Sequence, residues 1–337
     1  MDIITEEFAH AVMAAVEERA GRPVIIEPVL KNNGVRLNGL CIRNESGSGI
    51  SPTFYLESIK PEYRNAEYIE SLAGHIMEAI DCHRHGIDET VPDQISRMLS
   101  DADEVKRRIL PRVVSYGWNT EMLRTMPYSR FLDLAVTFEI EVGENSTMRV
   151  RSGMMEMLAL SVDEMYEAAM RNARLKGYSV MRIGDIVERS LRDSGFRPVA
   201  RAERAGGAGE DATGTESASG AVDLGVDIDQ APMVVISNHA CLNGAYGMLD
   251  EELLGRVADG FTVRTDEGEK AGIDAMYIIP SSVHEIIATP TSWGTGTEAG
   301  IDYIREMIKA VNETLIRTEW LSESVYIYEK GRGLRVA

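Results

Sequence analysis

The sequence predicts an α+β protein made of two α+β parts that are joined by a flexible acidic segment rich in Gly and Ala. Three observations carry this expectation: residues 1–85 read α-β-β-β-α, residues 231–337 read β-α-β-β-α-β, and residues 200–230 contain no aromatic side chain. We therefore predict an N-terminal α+β domain over residues 1–199, a disordered acidic linker or insertion over residues 200–230, and a C-terminal α+β domain over residues 231–337.

The N-terminal part begins with a helix that Thr5 caps and whose apolar residues recur at helical spacing. Three strand-like runs follow. Asn32-Asn33-Gly34 separates the first two, because Asn-Gly tolerates the positive φ that a tight hairpin requires. A long helix then completes the α-β-β-β-α order. The predicted bounds of these elements are 5–19, 23–31, 34–43, 50–57 and 62–85.

The middle of the chain adds further helices and strands. Residues 131–142 alternate apolar and polar side chains, which predicts a strand with one buried and one wetter face. Ser161 and Glu164 have the spacing of a capping box at the start of a helix. The other elements predicted here are a helix over 92–100, a strand over 107–116 and a helix over 182–193.

Residues 200–230 differ from the rest of the chain in composition. The first two thirds of this stretch consist mostly of Ala, Gly, Glu, Ser and Thr. The whole stretch contains seven acidic residues and only two arginines. Such a composition cannot bury enough apolar area to offset the entropy of ordering, so we predict disorder.

The C-terminal part has a clear alternation of elements. Predicted strands cover 232–237, 275–280, 283–289 and 324–329, and predicted helices cover 244–258 and 298–312. This β-α-β-β-α-β order is compatible with a ferredoxin-like split unit.

Charge and cysteine usage limit the function. Lys and Arg number 35 against 54 Asp and Glu, a net charge of −19. Nucleic acids and anionic membranes attract clustered cations, so we expect neither as a partner. The three cysteines, Cys41, Cys82 and Cys241, are widely separated and imply no disulfide framework. Together with an acidic N-terminus unlike a signal peptide, they predict a cytoplasmic protein.

The segment from Pro280 to Glu285 carries the best set of catalytic residue types. Ser281, Ser282, His284 and Glu285 lie between two apolar runs. A Ser–His pair with a nearby acid can form an activated nucleophile, and residues two apart share a face of an extended segment. No Gly-x-Ser-x-Gly elbow is present. The alternative is that the hydroxyls satisfy the backbone of a turn and that the imidazole makes a structural hydrogen bond.

A second cluster has the residue types of a metal site. Cys82, His83 and His85 stand near the end of the helix predicted over 62–85. Zinc favours thiolate and imidazole ligands, but two helical residues that are two apart diverge by about 200°. The alternative is that the histidines complement the helix dipole. We name no metal ligand and leave metal binding by these three residues open.

Residues 294–300 read Gly-Thr-Gly-Thr-Glu-Ala-Gly ahead of a predicted helix. The spacing is one residue too long for a dinucleotide fingerprint, and no Gly-Lys-Ser/Thr follows. We therefore predict no cofactor.

Five segments distributed over nearly the whole chain carry a family resemblance. They are Lys31–Val35 continuing to Ile50–Leu56, Arg130–Ala135, Ser237-Asn238 with Gly244-Ala245 and Leu249, Tyr277–Ile286, and Leu321–Tyr326. In this order they resemble an uncharacterised bacterial family, catalogued as the domain of unknown function number five-six-eight-eight. Residues 200–221 look like an insertion relative to that family. The resemblance implies a soluble intracellular bacterial protein and brings no established activity, ligand or catalytic residue.

The function expected from these observations is a non-enzymatic intracellular binding or regulatory protein, whose partner is an unknown protein or small molecule. The alternative is a hydrolase that uses Ser281 or Ser282 with His284 and Glu285. Whether the protein is an enzyme stays open at this point.

Overall fold

The computed structural model of the chain describes residues 4–43, 53–85, 91–143, 146–186, 228–229, 231–264, 268–294 and 298–337. Helices and antiparallel sheets both contribute, so the predicted α+β class is confirmed. The chain divides into two compact units. The first unit contains residues 1–109, 116–128 and 139–165, and the second contains residues 110–115, 129–138 and 166–337. The predicted linker lies almost entirely outside the described residues, and the predicted domain division stays a prediction.

The first unit begins with the predicted α-β-β-β-α order, which is confirmed. Its elements are α1 Glu6–Ala20, β1 Val24–Leu30, β2 Arg36–Ile42, β3 Thr53–Tyr55 and α2 Ile69–His85. The strands form an antiparallel sheet in the order β1-β2-β3. Thr5 Oγ1 accepts the Phe8 N–H at 3.3 Å, as an N-cap should. Asn33 and Gly34 have φ values of 60° and 71°, as predicted for this turn.

The start of α2 differs from the prediction, which placed it at residue 62. Two short 3₁₀ turns, Pro61–Tyr63 and Ala66–Tyr68, precede the helix. Between them Arg64 (φ −91°, ψ 54°) and Asn65 (φ −137°, ψ 164°) leave the helical region, so no continuous helix can begin before Ile69.

Ten elements follow before residue 183. They are α3 Val91–Leu99, α4 Ala102–Arg108, β4 Ile109–Ser115, α5 Thr120–Leu123, β5 Ser129–Phe131, β6 Leu134–Gly143, β7 Ser146–Arg149, α6 Ser152–Leu158, α7 Val162–Lys176 and β8 Tyr178–Arg182. The predicted capping box is confirmed, since the Glu164 N–H donates to Ser161 Oγ at 3.2 Å and Glu164 Oε2 accepts the Ser161 N–H at 2.9 Å. Helix α4 was not predicted; Asp101 caps it by accepting the N–H groups of Asp103 and Glu104.

The expectation of a wetter face on β6 is wrong, because residues 134–140 are all buried. The two polar residues within 134–140 are buried with hydrogen-bond partners. The Thr137 hydroxyl donates to the Arg112 carbonyl at 3.1 Å, and Glu139 Oε2 accepts from the Thr147 hydroxyl at 3.2 Å.

The second unit is built on a six-stranded sheet. After β8 the chain forms β9 Val234–Asn238, a 3₁₀ segment Gly244–Leu249, α8 Glu251–Gly260, β10 Thr262–Arg264, β11 Lys270–Gly272, β12 Ala275–Pro280, β13 Ile286–Pro290, α9 Glu298–Thr314, β14 Tyr326–Glu329 and β15 Gly333–Val336. The predicted β-α-β-β-α-β order is present as β9, α8, β12, β13, α9 and β14. The hairpin β10–β11 and strands β8 and β15 are added to it.

The sheet order is β15-β14-β12-β13-β9-β8, and every neighbouring pair is antiparallel. Strands β9 and β12 run parallel with β13 between them, and β13 and β14 run parallel with β12 between them, so two split β-α-β units are present. A ferredoxin-like sheet places its fourth strand beside its first, whereas β14 pairs with β12 and not with β9, so the complete ferredoxin-like strand order is wrong. The order of elements alone did not determine which strands pair.

Alternation along the strands divides the core between the two faces of the sheet. Met276 and Ile278 of β12 pack with the buried residues of α8 on one face. Tyr277 and Ile279 pack on the other face with Ile304 of α9 and its buried neighbours.

Strand register brings several connections to one end of this sheet. Tyr178 of β8 pairs with Asn238 of β9, Ile236 pairs with Ile286 of β13, and Ile278 pairs with Tyr326 of β14. We call this the loop end of the second unit, defined as residues 174–177, 238–243, 281–285 and 319–325. In the described residues, no helix combines the length and the apolar character needed to cross a bilayer.

Candidate functional site

The turn between β12 and β13 contains the predicted catalytic residues. Ser282 Oγ accepts the backbone N–H of His284 at 3.0 Å, and the Ser282 N–H donates to the Glu285 carbonyl at 3.2 Å. Ser281 Oγ donates to Glu285 Oε1 at 3.3 Å. Both hydroxyls therefore take part in hydrogen bonds within the turn.

The His284 ring makes its closest contact with the loop after β9. Its Nδ1 accepts the backbone N–H of Asn243 at 3.0 Å, and its Nε2 lies 3.9 Å from Glu319 Oε1. A neutral imidazole has one acceptor nitrogen and one donor nitrogen. Since Nδ1 is the acceptor here, the proton of the neutral ring lies on Nε2, on the side of Glu319.

The environment of His284 favours its neutral form. Burial lowers the pKa of His284 below its ordinary value of 6.5, and the positive charge of Arg112 lowers it as well. The carboxylates of Glu319 and Glu285 act in the opposite direction without overcoming the burial.

The backbone of residues 283–284 anchors the end of β9 and the residues that follow the loop. The His284 carbonyl accepts the Ser237 hydroxyl at 2.7 Å and the Gly244 N–H at 2.9 Å, while the Ala245 N–H donates to the Val283 carbonyl at 3.3 Å. A Cβ on Gly244 would lie 2.5 Å from the Asn238 nitrogen and 2.8 Å from the His284 carbonyl oxygen. This close approach of backbone to backbone requires glycine at position 244.

The loop of residues 239–243 is exposed but conformationally constrained. Cys241 and Asn243 have φ values of 50° and 56°. The Asn238 side chain braces the loop, with Nδ2 donating to the Leu242 carbonyl at 2.7 Å and Oδ1 accepting the Leu242 N–H at 3.1 Å. The Leu242 residue is 52% exposed at the tip. The loop thus presents an apolar side chain on a backbone that is already ordered.

A second exposed leucine lies at the same end of the sheet. Leu175, near the end of α7, is 80% exposed. A Cβ on the following Gly177 would lie 3.0 Å from His239 Nε2, so the loop after β9 contacts the connection between α7 and β8. Leu242 and Leu175 are thus two exposed large apolar residues of the loop end, the kind of residue that marks interaction sites where such residues form a patch.

A carboxylate with three hydroxyl donors lies beside the segment before β14. Asp133 accepts from the hydroxyls of Ser322 at 2.9 Å, Ser324 at 3.0 Å and Tyr326 at 2.7 Å. Burial and the charge of Asp133 raise the pKa of Tyr326 far above its ordinary value. Asp133 stands in the two-residue turn between β5 and β6, next to Leu132 with φ 54°. These bonds tie that turn to residues 322–326.

The hydrogen bonds around His284 and those around Asp133 are connected by residues 319–322. The Val283 N–H donates to the Glu319 carbonyl at 2.8 Å, and Ser322 follows three residues later. The segments Arg130–Ala135, Tyr277–Ile286 and Leu321–Tyr326, which carried part of the family resemblance, are thereby linked. Sequence reasoning missed Asn243, although Asn tolerates the left-handed conformation and Asn-Gly marks a turn.

A buried carboxylate at the start of α8 was also missed. Asp250 caps α8 and accepts from Arg174 Nε at 2.8 Å and from the Tyr178 hydroxyl at 2.9 Å. Burial alone would raise the pKa of Asp250, but the hydrogen bonds from Arg174 and Tyr178 outweigh it and hold the pKa below its ordinary value.

The three residues whose metal binding was left open have no described side chains. Cys82, His83 and His85 belong to the last turn of α2, and their side chains lie outside the described part of the structure, as do residues 295–297 of the glycine-rich motif. Among the side chains that are described, no group of three or more His, Cys, Asp or Glu residues could hold a metal ion.

Comparison with known proteins gives one match. A family model described as "Family of unknown function (DUF5688)" matches residues 5–330, nearly the whole chain. No curated protein and no solved structure matches the chain. The family resemblance inferred from the five sequence segments is therefore confirmed.

Proposed function

The chain belongs to this family of unknown function, and we propose that it is a non-enzymatic protein that binds another protein through the loop end of its second unit. The observation that carries the proposal is the braced loop of residues 239–243. Its left-handed residues and the Asn238 hydrogen bonds hold Leu242 in an exposed position. Strained, ordered backbone is concentrated at ligand-binding sites, and pre-ordering reduces the entropy lost on association.

The hydrogen bonds of His284 support binding over hydrolysis. A general base needs a free lone pair directed at the nucleophile. The lone pair of His284 lies on Nδ1, which accepts the Asn243 N–H, while Ser282 Oγ accepts the backbone N–H of His284 itself. A hydrolase built on Ser281 or Ser282 with His284 and Glu285 would have to break the Asn243 bond before the base could act.

The net charge supports a partner other than a second copy. At −19, two copies of the chain repel each other, and so do the chain and a nucleic acid. We therefore propose a different protein that offers an apolar contact within a neutral or basic surface. A cytoplasmic location agrees with the three widely separated cysteines, and it remains part of this proposal.

Site-specific photo-crosslinking tests this proposal. Benzoylphenylalanine is placed at Leu242 or Leu175 in cells that naturally make the chain, with Tyr303 of α9, which is 68% exposed, as the control position. We expect positions 242 and 175 to give the same adduct, and position 303 to give none of that mass. Leu175→Asp should weaken the adduct formed from position 242.

Three outcomes would contradict the proposal: no adduct at position 242, the same adduct from position 303, or an adduct of twice the mass of the chain. A fluorophosphonate probe tests the hydrolase alternative separately. We expect no labelling of the purified protein. Labelling that Ser282→Ala or Ser281→Ala abolishes would establish a serine nucleophile and overturn the non-enzymatic part.

A further inference from the structure

We infer that His284 is a pH-sensitive latch that holds the loop of residues 239–243 when the ring is neutral and releases it when the ring is protonated. The inference adds regulation to the proposed binding surface and rests on the proposed function for its biological meaning. The latch itself is a property of the second unit alone.

The loop depends on hydrogen bonds of different kinds. Asn238 braces Leu242 through its amide group, and the Gly244 N–H donates to the His284 carbonyl. Neither acceptor titrates near neutral pH. The bond from the Asn243 N–H to His284 Nδ1 differs from them, because imidazole changes charge between pH 5 and 8.

Protonation reverses the role of Nδ1. In the charged ring both nitrogens are donors, so an N–H on Nδ1 would face the N–H of Asn243 at a separation of 3.0 Å between nitrogens. The hydrogen bond is lost and two donors oppose each other. The chain relieves this contact by moving the loop or by turning the ring.

The charged groups around the ring give the protonated form an alternative partner. Glu319 Oε1 lies 3.9 Å from Nε2, and Glu285 also favours the cation, whereas Arg112 opposes it. Protonation at Nδ1 therefore removes the acceptor of the Asn243 N–H, while the positive charge that it adds draws the Nε2 side of the ring towards the carboxylate of Glu319. One proton thus selects between a ring that is bonded to Asn243 and a ring that is paired with Glu319, which makes a two-state element.

The loop is built to respond to the loss of this bond. Cys241 and Asn243 within the loop both have positive φ, and for Cys241 this conformation persists only when the surroundings impose it. Residues 239–242 are exposed, so few packing contacts oppose their movement. Release of Asn243 would then change the position of Leu242, the apolar residue of the proposed binding surface.

The direction of the pH effect follows from the lowered pKa of His284. The held loop has its full stability where the ring is neutral in both the held and the released state, which is above about pH 6.5. It loses this stabilisation as the pH falls from 6.5 through the lower pKa of the held state. Acid therefore opens the loop.

Amide hydrogen exchange and ¹H–¹⁵N NMR on the full chain test the latch between pH 7.5 and 5.0. After correction for the intrinsic exchange rate, the protection of the Asn243 amide should fall by about tenfold for each pKa unit by which the held state lowers the pKa of His284. Unchanged protection of Asn243 over this range would overturn the inference.

Three variants test whether His284 is the group that causes the pH dependence of Asn243 protection. His284→Asn keeps an acceptor near the position of Nδ1 and removes the titration, so protection should no longer depend on pH. His239→Gln removes the exposed histidine of the same loop and should leave the response intact. Glu319→Gln removes the alternative partner and should shift the transition to lower pH.

A response that persists in His284→Asn, vanishes in His239→Gln, or shifts to higher pH in Glu319→Gln would contradict the latch. None of these measurements involves a partner protein. A negative NMR result would therefore contradict the latch and not the proposed binding surface. A negative crosslinking result would contradict the binding surface and not the latch.

Discussion

Replacement of Asp250 by alanine should destabilise the second unit by about 2–4 kcal/mol. Three losses contribute. The helix α8 loses the N-cap that accepts from the Glu252 and Leu253 N–H groups, worth about 1 kcal/mol. The Tyr178 hydroxyl, on a residue that is 5% exposed, loses its acceptor and costs about 1–3 kcal/mol. Arg174 adds little because its side chain is 49% exposed and water can replace Asp250.

Urea unfolding, followed through the transition of the second unit, measures this loss. Asp101→Ala is the matched control, because Asp101 caps α4 in the same way without a buried hydroxyl partner among its described contacts. It should lower the stability of its own unit by about 1 kcal/mol.

Tyr178→Phe provides the second arm of a double-mutant cycle. Alone it should cost about 1 kcal/mol, since Asp250 keeps the Arg174 and backbone donors. In the Asp250→Ala background it should cost nothing or restore stability, because it removes the unpaired hydroxyl. Equal losses for Asp250→Ala and Asp101→Ala, or additive losses in the cycle, would refute the reasoning.

Three other predictions concern the loop end and its neighbours. Gly244→Ala should destabilise the second unit and expose the loop to limited proteolysis, whereas Gly153→Ala, with open space around it, should be neutral or slightly stabilising. Asp133→Ala should cost about 2–4 kcal/mol in urea unfolding, because the buried Tyr326 and Ser322 hydroxyls lose their acceptor. The stability of wild type relative to His284→Asn should fall as the pH drops below 6.5, measured as the difference between their thermal midpoints at pH 7.5 and 5.0.

Local patterns predicted the elements of the fold well where the signal was itself local. Thr5 and the Ser161–Glu164 pair mark helix starts by hydrogen bonds within one turn, and both are present as predicted. The start of α2 was predicted wrongly because the departure of Arg64 and Asn65 from helical geometry leaves no mark in apolar periodicity. The ferredoxin-like strand order was wrong in the place of β14, which pairs with β12, because strand pairing depends on contacts between residues far apart in the chain.

The candidate site shows the same difference between local signals and contacts of distant residues. The sequence drew attention to Ser282, His284 and Glu285 as a group because their side chains suit nucleophilic catalysis. It could not show that the partner of the His284 ring is the backbone N–H of Asn243, 41 residues earlier. Backbone groups are identical at nearly every position, so a hydrogen bond to one of them has no sequence signature.

The sequence by itself determined the α+β class, the capped helices, the order of elements in each half, the net charge of −19, and the family to which the chain belongs. These properties follow from composition and from interactions between near neighbours. The tertiary structure alone decided the antiparallel order of the six strands, the braced exposed loop at their end, and the use of His284 to hold that loop. Each of these depends on which distant segments meet, and that is determined by the packing of the whole unit.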